Sequence, residues 1–338
     1  MTEGTGGIVN VGLTCYANAV IQAFRHCYNI KTLFQEGTYN KLLKEDCKYS
    51  PLTIQLANII QSLSRITSSS SIRPNGFWNA FHSVIEDSCF EHLKARRPHD
   101  AHEFLMAILD YTHESLSKKV TVNITKCELL SQRQKLHQAS LESWKSHFEN
   151  EYSPFVDLFF GLFHIQTLCS NCKTLSHKFE TFNTLKCVFP KDLSKPTILQ
   201  CIHGELNEEI IEEYSCDVCS PKRYRALRKT KIWKLPQNLI LVLKRFDHNF
   251  QKIHTPIEHL IKLDLGSIYS ELSPNKKNSK YSLRSIVDHH GSMNGGHYTA
   301  QAKHTVDSKW YLYDDQDIHA IDSPIMGESS YILFFEKE

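Results

Sequence analysis

The chain has 338 residues, of which 41% are apolar, so it can bury a sizeable core in one large domain or two to three smaller ones. Its 39 basic and 37 acidic residues nearly balance, which gives no reason to expect nucleic acid or an anionic membrane as a partner. The sequence contains no run of 18 apolar residues and no signal-peptide pattern, so we expect no transmembrane helix and a cytoplasmic or nuclear protein with reduced thiols.

The first 150 residues carry mainly helical patterns. A helix is predicted over residues 15–27, directly after the glycine-containing stretch GIVNVGLT, and a second apolar stripe at helical spacing runs over residues 52–66. A third helix is predicted in DAHEFLMAILDYTHESL. Asp100 is a candidate N-cap there, and Glu103 follows at the spacing of a capping box.

The last 170 residues are dominated by short segments rich in β-branched and aromatic residues, separated by Gly, Asn, Pro and Ser clusters. These segments predict an antiparallel sheet of several strands. A helical part followed by a mostly β part indicates the α+β class. The predicted strands are LFHIQTLC, NLILVLKRF, YSLRSIVDHH, HYTAQAKH, WYLYDD and YILFFEK.

Cys15 lies where the glycine-containing loop gives way to the first predicted helix. A cysteine is a good nucleophile as a thiolate, and the N–H groups and dipole at a helix N-terminus lower the thiol pKa. The position of Cys15 therefore suits a nucleophile whose pKa is lowered by the helix N-terminus. A single cysteine beside apolar residues is also commonly buried and inert, so its position alone leaves both interpretations open.

A nucleophilic thiol needs a base, a group that orients the base, and a donor for the oxyanion. His297 follows two glycines at the start of a predicted strand, and Asp314 and Asp315 end the strand WYLYDD. Asn10 can supply a side-chain amide near the cysteine. Each of these residues also has a plain structural interpretation, as a surface histidine after a turn, a polar strand end or a turn asparagine.

Two C-x-x-C pairs indicate a metal site. Cys169 and Cys172 form the first pair, and Cys216 and Cys219 form the second. Four thiolates in two such turns are typical of a closed, tetrahedral structural Zn²⁺ site, so we expect one zinc ion. A zinc ribbon could instead bind nucleic acid, but the single basic run, residues 222–231, indicates a solvated strand face.

Taken together, these motifs resemble those of the ubiquitin-specific proteases, in the order of that family and from residue 7 to about 336. GIVNVGLTCYANAVIQ is similar to the family's cysteine box, GGHYTA followed by KWYLYDD to its histidine box, and RPHDAHEFL to the block between them. The sequence LKRF and the cysteine pairs also fit. The resemblance implies one catalytic domain with a papain-like cysteine protease fold: a helical thumb (1–150), zinc-bearing β fingers (about 160–235) and a β-sheet palm (about 236–338).

The resemblance also implies a thiol-dependent deubiquitinase that hydrolyses the isopeptide or peptide bond after the C-terminal glycine of ubiquitin. In this interpretation Cys15 is the nucleophile that forms a thioester, His297 is the general base and acid, and Asp314 orients the imidazole. Asp315 assists beside it, and Asn10 supplies the oxyanion amide. Ubiquitin and ubiquitinated proteins are the implied partners of an expected monomer, and an activating partner protein is left open.

Asp100 and Glu103 match acidic positions that receive the basic C-terminal tail of ubiquitin, a role that competes with helix capping by the same pair. The sequence departs from the family pattern at Leu13, where a polar or small residue is usual. Two other functions stay open: a protease for another ubiquitin-like modifier, and a non-catalytic ubiquitin-binding scaffold.

Overall fold

The computed structural model of the chain describes residues 2–338 except 36, 96, 126–130, 248, 250, 293 and 294. Within these residues the α-helices are α1 (Cys15–Phe24), α2 (Ile30–Leu33), α3 (Ser50–Leu63), α4 (Asn75–Val84), α5 (Ala101–Leu116), α6 (Gln132–Phe148), α7 (Pro154–Phe159) and α8 (Ile198–Glu205). Short 3₁₀ helices occupy Tyr39–Lys41, Glu91–Lys94 and Gly266–Ile268.

The strands of the same residues form three sheets, and the α+β class is confirmed. They are β1 (Gly7–Ile8), β2 (Ser71–Ile72), β3 (Gly161–Cys169), β4 (Leu175–Phe182), β5 (Leu185–Cys187), β6 (Glu209–Ser215), β7 (Arg223–Lys234), β8 (Asn238–Leu243), β9 (Lys262–Asp264), β10 (Lys280–Ser292), β11 (Gly295–Lys303), β12 (Trp310–Asp314), β13 (Asp317–Ile321) and β14 (Ser330–Lys337).

The largest sheet has the order β13-β12-β11-β10-β14-β8-β5 among the described strands, with β9 paired to β10. Its described neighbours run antiparallel except β5 and β8, which are parallel. Because β11 and β12 are antiparallel neighbours, the start of β11 and the end of β12 lie at the same edge of the sheet. His297 and Asp314 occupy these two positions.

Helix α1 lies at the centre of the molecule, and every one of its residues is buried. It contacts α5 on one side and β10, β11 and β12 on the other. Apolar side chains of α1, α3, α4 and α5 form one continuous core with inward-facing residues of the large sheet. This burial fixes α1, and with it Cys15, against the sheet edge that carries His297.

A second sheet, in the order β4-β3-β7-β6, extends from the rest of the molecule. Both C-x-x-C turns lie at one end of it, because one turn connects β3 to β4 and the other connects β6 to β7. The basic run at 222–231 lies almost entirely on β7, which agrees with its interpretation as a strand face. β5, within the range predicted as fingers, pairs instead in the large sheet; the boundaries of thumb, fingers and palm stay predictions.

Most predicted elements match observed ones, with shifted ends. The stripe predicted over 52–66 corresponds to α3, which ends at Leu63, where the Ser64 hydroxyl donates to the carbonyl of Ile60 and the chain turns. The first helix ends at Phe24 rather than at residue 27. Among the described residues, none of the helices combines the length and the apolar character needed to cross a membrane.

Arg245, in the motif LKRF, is a buried cation that connects three segments of the sheet region. It is 1% exposed and donates to the carbonyls of Ser330, Ile253, Thr255 and Gly327. Burial lowers its pKa to about 10. Since the guanidinium satisfies four carbonyl oxygens at once, a residue with fewer donors in a different geometry leaves some of them unpaired.

We expect Arg245→Lys to lower the free energy of unfolding by about 3 kcal/mol, because unpaired buried acceptors and lost charge-assisted bonds each cost about 1–3 kcal/mol. Urea unfolding followed by circular dichroism measures this loss. The matched control is Arg225→Lys, whose side chain is 68% exposed and pairs with Glu212 at the surface; it should cost under about 1 kcal/mol. Equal losses for the two variants would contradict a structural role for Arg245.

Candidate active site

The loop before Cys15 is held by the side chain of Asn10. Its Oδ1 accepts hydrogen bonds from the backbone N–H groups of Gly12 and Thr14, each at 3.1 Å. Gly12 (φ 124°) and Leu13 (φ 59°) adopt left-handed conformations in this turn. The turn therefore ends with Cys15 as the first residue of α1, as the sequence predicts.

The thiol of Cys15 is 7% exposed, and burial raises its pKa above the ordinary value. A hydrogen bond from the backbone N–H of Tyr298 opposes this increase, and the carboxylate of Asp315 adds to it. The expectation that the helix N-terminus lowers the pKa of Cys15 is therefore wrong in its net direction. Backbone N–H groups do favour the thiolate, but burial and a nearby negative charge outweigh them.

His297 and Asp314 form the second part of the site. Nε2 of His297 lies 2.5 Å from Oδ1 of Asp314, across the β11–β12 pair. His297 precedes Tyr298, whose N–H contacts the sulfur of Cys15, so the imidazole and the thiol occupy neighbouring positions. The bond at Nε2 leaves Nδ1 as the nitrogen available for proton transfer. The roles assigned to these residues stay predictions.

Asp315 connects the two parts of the site. Its Oδ2 accepts from Nδ2 of Asn10 at 2.9 Å, and its Oδ1 accepts from Nδ2 of Asn18 at 2.7 Å. Side-chain atoms of Asp315, Asp314 and His297 that could bind a metal lie within 4.8 Å of one another. Since the Asn10 amide has two N–H groups, the bond to Asp315 leaves one for the predicted oxyanion role.

Asn18 is a site residue that the sequence reasoning missed. It is 2% exposed and lies one helical turn after Cys15 on α1. The i, i+3 spacing puts the two side chains on the same face of the helix, and this spacing was the available signal. A polar side chain within a fully buried helix also indicates a partner, because buried amides are normally hydrogen-bonded.

Asp100 caps α5, as one of its two competing interpretations predicts, but no capping box is found among the described residues, because the Glu103 carboxylate pairs with His92. Its Oδ1 accepts from the backbone N–H groups of His102 and Glu103, and its Oδ2 accepts from the hydroxyl of Tyr331 at 2.6 Å. Glu103 pairs with His92 at 2.8 Å, and its side chain is 49% exposed. The two carboxylates therefore lie near one another, but Asp100 already has several partners. Binding of a basic tail by this pair stays a prediction.

The four paired cysteines converge at the end of the second sheet, with all four sulfurs within 4.8 Å of one another. The Sγ atoms of Cys169 and Cys219 are 3.9 Å apart, and those of Cys172 and Cys216 are 3.5 Å apart. Hydrogen bonding to the Thr174 hydroxyl and then to its backbone N–H lowers the pKa of Cys172 to about 6. Burial and the neighbouring thiols raise the pKa of Cys216 and that of Cys219. The cluster could hold a metal ion, since it offers four convergent thiol ligands.

A family described as "Ubiquitin carboxyl-terminal hydrolase" matches residues 6–335. The chain is 27% identical over 369 residues to ubiquitin carboxyl-terminal hydrolase 4 of Vanderwaltozyma polyspora, with 98% of the chain and 41% of the relative covered. It is 28% identical over 351 residues to ubiquitin carboxyl-terminal hydrolase Usp2 of Drosophila melanogaster, with 99% and 35% covered. The chain thus spans less than half the length of these curated relatives.

A solved structure is similar in fold. It is described as the SAGA Ubp8/Sgf11/Sus1/Sgf73 DUB module bound to ubiquitin aldehyde, and it superposes with a TM-score of 0.73 at 23% identity. The similarity covers 99% of this chain and 70% of the solved one. At this identity the likeness concerns the fold.

We expect Asp315→Asn to lower the pKa of Cys15, because the substitution removes a negative charge that opposes the thiolate. Asparagine tolerates the positive φ of 52° at this position. The rate at which iodoacetamide alkylates Cys15 rises with pH as the thiolate forms. Mass spectrometry of the peptide that contains Cys15 measures this rate. In the variant the midpoint of this rise should shift to lower pH, and alkylation below the midpoint should be roughly 2- to 10-fold faster.

Asp322→Asn, a change at an exposed carboxylate further along the chain, serves as the control and should leave the midpoint in place. A midpoint that stays unchanged or rises in Asp315→Asn would show that the charge of Asp315 does not act on the thiol.

Proposed function

Because this chain belongs to the ubiquitin carboxyl-terminal hydrolase family, we propose that it is a thiol-dependent deubiquitinase. It would hydrolyse the isopeptide or peptide bond that follows the C-terminal glycine of ubiquitin. The observation that carries the proposal is the convergence of three groups: Cys15 at the start of a helix, the N–H of Tyr298 on its sulfur, and the adjacent His297 bonded to Asp314.

In the proposed acylation step, Nδ1 of His297 removes the proton of the Cys15 thiol. The raised pKa of Cys15 means that the thiol of the free protein is protonated near neutral pH, so this general base is required. The sulfur attacks the carbonyl of the terminal glycine, and the oxyanion accepts from the free N–H of Asn10 and a backbone N–H. The protonated His297 then gives its proton to the leaving amine, and a thioester remains.

In the proposed deacylation step, neutral His297 takes a proton from water, and the resulting hydroxide attacks the thioester. The tetrahedral intermediate expels the sulfur of Cys15, which is protonated again, and ubiquitin leaves with a free carboxylate. Asp314 accepts the hydrogen bond from Nε2–H throughout. This bond holds the neutral tautomer whose Nδ1 lone pair faces the reacting proton, and it stabilises the imidazolium that forms in each step.

We propose Zn²⁺ as the ion of the four-cysteine cluster. Zinc–sulfur bonds of about 2.3 Å in a tetrahedron require sulfurs about 3.8 Å apart, and the observed 3.5 and 3.9 Å fit this requirement. Cys169, Cys172, Cys216 and Cys219 would supply all four ligands, so the ion would leave no position for a substrate. Its role would be structural: it would tie the β3–β4 turn to the β6–β7 turn.

Ubiquitin and ubiquitinated proteins are the proposed partners. The exposed Glu103 beside Asp100 supports binding of the basic tail, because both carboxylates lie at the start of α5, next to the helix that carries Cys15. The solved module that shares the fold is described as bound to ubiquitin aldehyde, which supports the same proposal. A monomer in the cytoplasm or nucleus stays a prediction from the sequence.

Cys15→Ala should abolish hydrolysis of a ubiquitin–fluorophore conjugate, because the variant has no atom that can form the thioester. It should still bind ubiquitin, since alanine changes the volume of the cleft very little. Turnover is measured by fluorescence, and covalent capture by a ubiquitin probe with an electrophilic C-terminus is measured by gel shift.

Cys89→Ala removes an exposed thiol elsewhere and should keep both turnover and probe capture. Turnover by Cys15→Ala above about 1% of the parent would rule out the proposed nucleophile. Fluorophore conjugates of other ubiquitin-like modifiers, assayed in parallel, test the alternative substrate class. If one of them is cleaved faster than the ubiquitin conjugate, that modifier and not ubiquitin is the substrate. A parent protein that binds ubiquitin without turnover would be a scaffold.

Cys172→Ser should reduce bound zinc from about one ion per chain to near zero, because the remaining three thiolates no longer close the site. Metal analysis of the purified protein gives the direct measurement. Hydrolysis of ubiquitin conjugates should fall as the turns separate, while alkylation of Cys15 by iodoacetamide stays near the parent rate. Cys89→Ser is the control. A parent protein that is fully active without zinc would show that the cluster is not a working zinc site.

A further inference from the structure

A pocket of about 270 Å³ opens beside the loop that leads to Cys15. Gly12, Leu13 and Thr14 form one wall, and helix α4 together with residues 93–95 and 97 forms the other. Consecutive Cα atoms are about 3.8 Å apart, so the wall at Thr14 is one residue from the nucleophile. Tyr16, the residue after Cys15, also lines the pocket, so an occupant of the pocket lies near the nucleophile.

The charged side chains that line the pocket are cations. Asn75 and Asn79 contribute amides from α4, and Lys94 and Arg97 contribute positive charge. Lys94 is bridged to Glu86 at 3.1 Å, whereas Arg97 has no ion-pair partner among the described residues. No carboxylate belongs to the described lining of the pocket. This composition favours an anionic occupant.

Two further observations point to the same kind of occupant. Trp78 lines the pocket and is 7% exposed, and its indole N–H has no acceptor among the described residues. Helix α4 begins at Asn75 without a side-chain cap and without an acidic residue in its first turn. An uncapped helix N-terminus and an unused indole N–H both call for an acceptor oxygen.

We propose that this pocket binds a carboxylate side chain of the ubiquitinated protein, close in sequence to the modified lysine. The proposal rests on the proposed deubiquitinase function. The tail of ubiquitin is basic and is assigned to Asp100 and Glu103, so a pocket that carries Arg97 repels it. The other side of the cleaved bond belongs to the leaving protein, and an aspartate or glutamate there matches the donors of the pocket.

Leu13 supports this assignment. Its side chain is 49% exposed at the pocket wall, and its backbone has a positive φ of 59°, which is costly for leucine. A large apolar side chain held outward beside the nucleophile can pack against the aliphatic stem of the substrate lysine. Leu13 would then contact the aliphatic stem of the substrate lysine, and the polar groups of the pocket would contact the carboxylate of the neighbouring acidic residue.

The test uses the full chain and ubiquitin joined through an isopeptide bond to the single lysine of short peptides. The peptides are identical except that the residues flanking the lysine are glutamate, glutamine or lysine. We expect kcat/KM for the glutamate peptide to exceed that for the glutamine peptide by roughly 2- to 5-fold, the size of one or two exposed charge pairs. The lysine peptide should be the slowest, and 0.5 M salt should reduce the differences.

Two variants assign the preference to this pocket. Arg97→Glu should reverse the order of the glutamate and lysine peptides, and Trp78→Phe, which keeps the ring and removes the N–H, should weaken the preference for glutamate. Lys195→Glu, a charge reversal at an exposed lysine outside the pocket lining, should keep the parent order. Each rate is normalised to hydrolysis of ubiquitin–aminocoumarin, whose leaving group carries no carboxylate.

The outcomes separate the two proposals. Cleavage of ubiquitin–aminocoumarin with equal rates on all peptides would overturn the pocket proposal and leave the deubiquitinase function intact. A preference for glutamate that persists in Arg97→Glu would also overturn the pocket proposal, because a different surface would then bind the carboxylate of the peptide. Absence of cleavage of every ubiquitin conjugate would refute the proposed function and the pocket proposal with it.

Discussion

The geometry of the site depends on the hydrogen bonds that the Asp315 carboxylate accepts from Asn10 and Asn18. These partners lie 305 and 297 positions away in the chain. The backbone carbonyl of Asp315 also accepts from the N–H of Ile8, so the end of β12 is fixed to the strand, loop and helix around Cys15. Because the intervening chain is so long, local structure does not set the distance between Cys15 and His297; this contact and the packing of α1 against β10, β11 and β12 set it together.

The same carboxylate has a chemical cost. Its charge adds to burial in raising the pKa of Cys15, so the group that assembles the cleft opposes formation of the thiolate. Asp314, the adjacent residue, points to His297 instead. The two neighbouring carboxylates therefore have different partners: Asp315 holds the loop and the helix around Cys15, and Asp314 holds the imidazole of His297. In the proposed mechanism, the proton that leaves the Cys15 thiol moves to this imidazole.

How far the sequence predicts this structure depends on the range of the interactions. Helices α1 and α5 and strand β14 have local apolar patterns, and the sequence predicts them. Strand β6 is mostly exposed, β7 is rich in charged residues that are largely half-buried, and α6 buries few residues, so their patterns are weak.

The site shows the same limit. The residue types around Cys15 indicate thiol chemistry, and the spacing of the four cysteines predicts that they converge. The direction of the pKa shift at Cys15, in contrast, depends on burial and on Asp315, which approaches only in the folded chain. The partners of Asn18 and Arg245 are equally remote in sequence. Periodicity and spacing carry no information about such contacts, because they are set by the packing of distant segments.

Acidic and basic side chains occupy separate positions near the helix that carries Cys15: Asp100 and Glu103 lie at the start of α5, and Lys94 and Arg97 line the pocket. Arg97 and Asp100 lie in the short connection between the 3₁₀ helix at Glu91–Lys94 and α5, yet one faces the basic pocket and the other caps the helix. A nucleophile attacks an isopeptide bond only at its carbonyl carbon, so the ubiquitin tail and the leaving protein must each lie on a defined side of Cys15. In the proposed function, a basic tail on the acidic side and an acidic flank on the basic side would align the bond correctly, whereas the reversed orientation would bring like charges together on both sides.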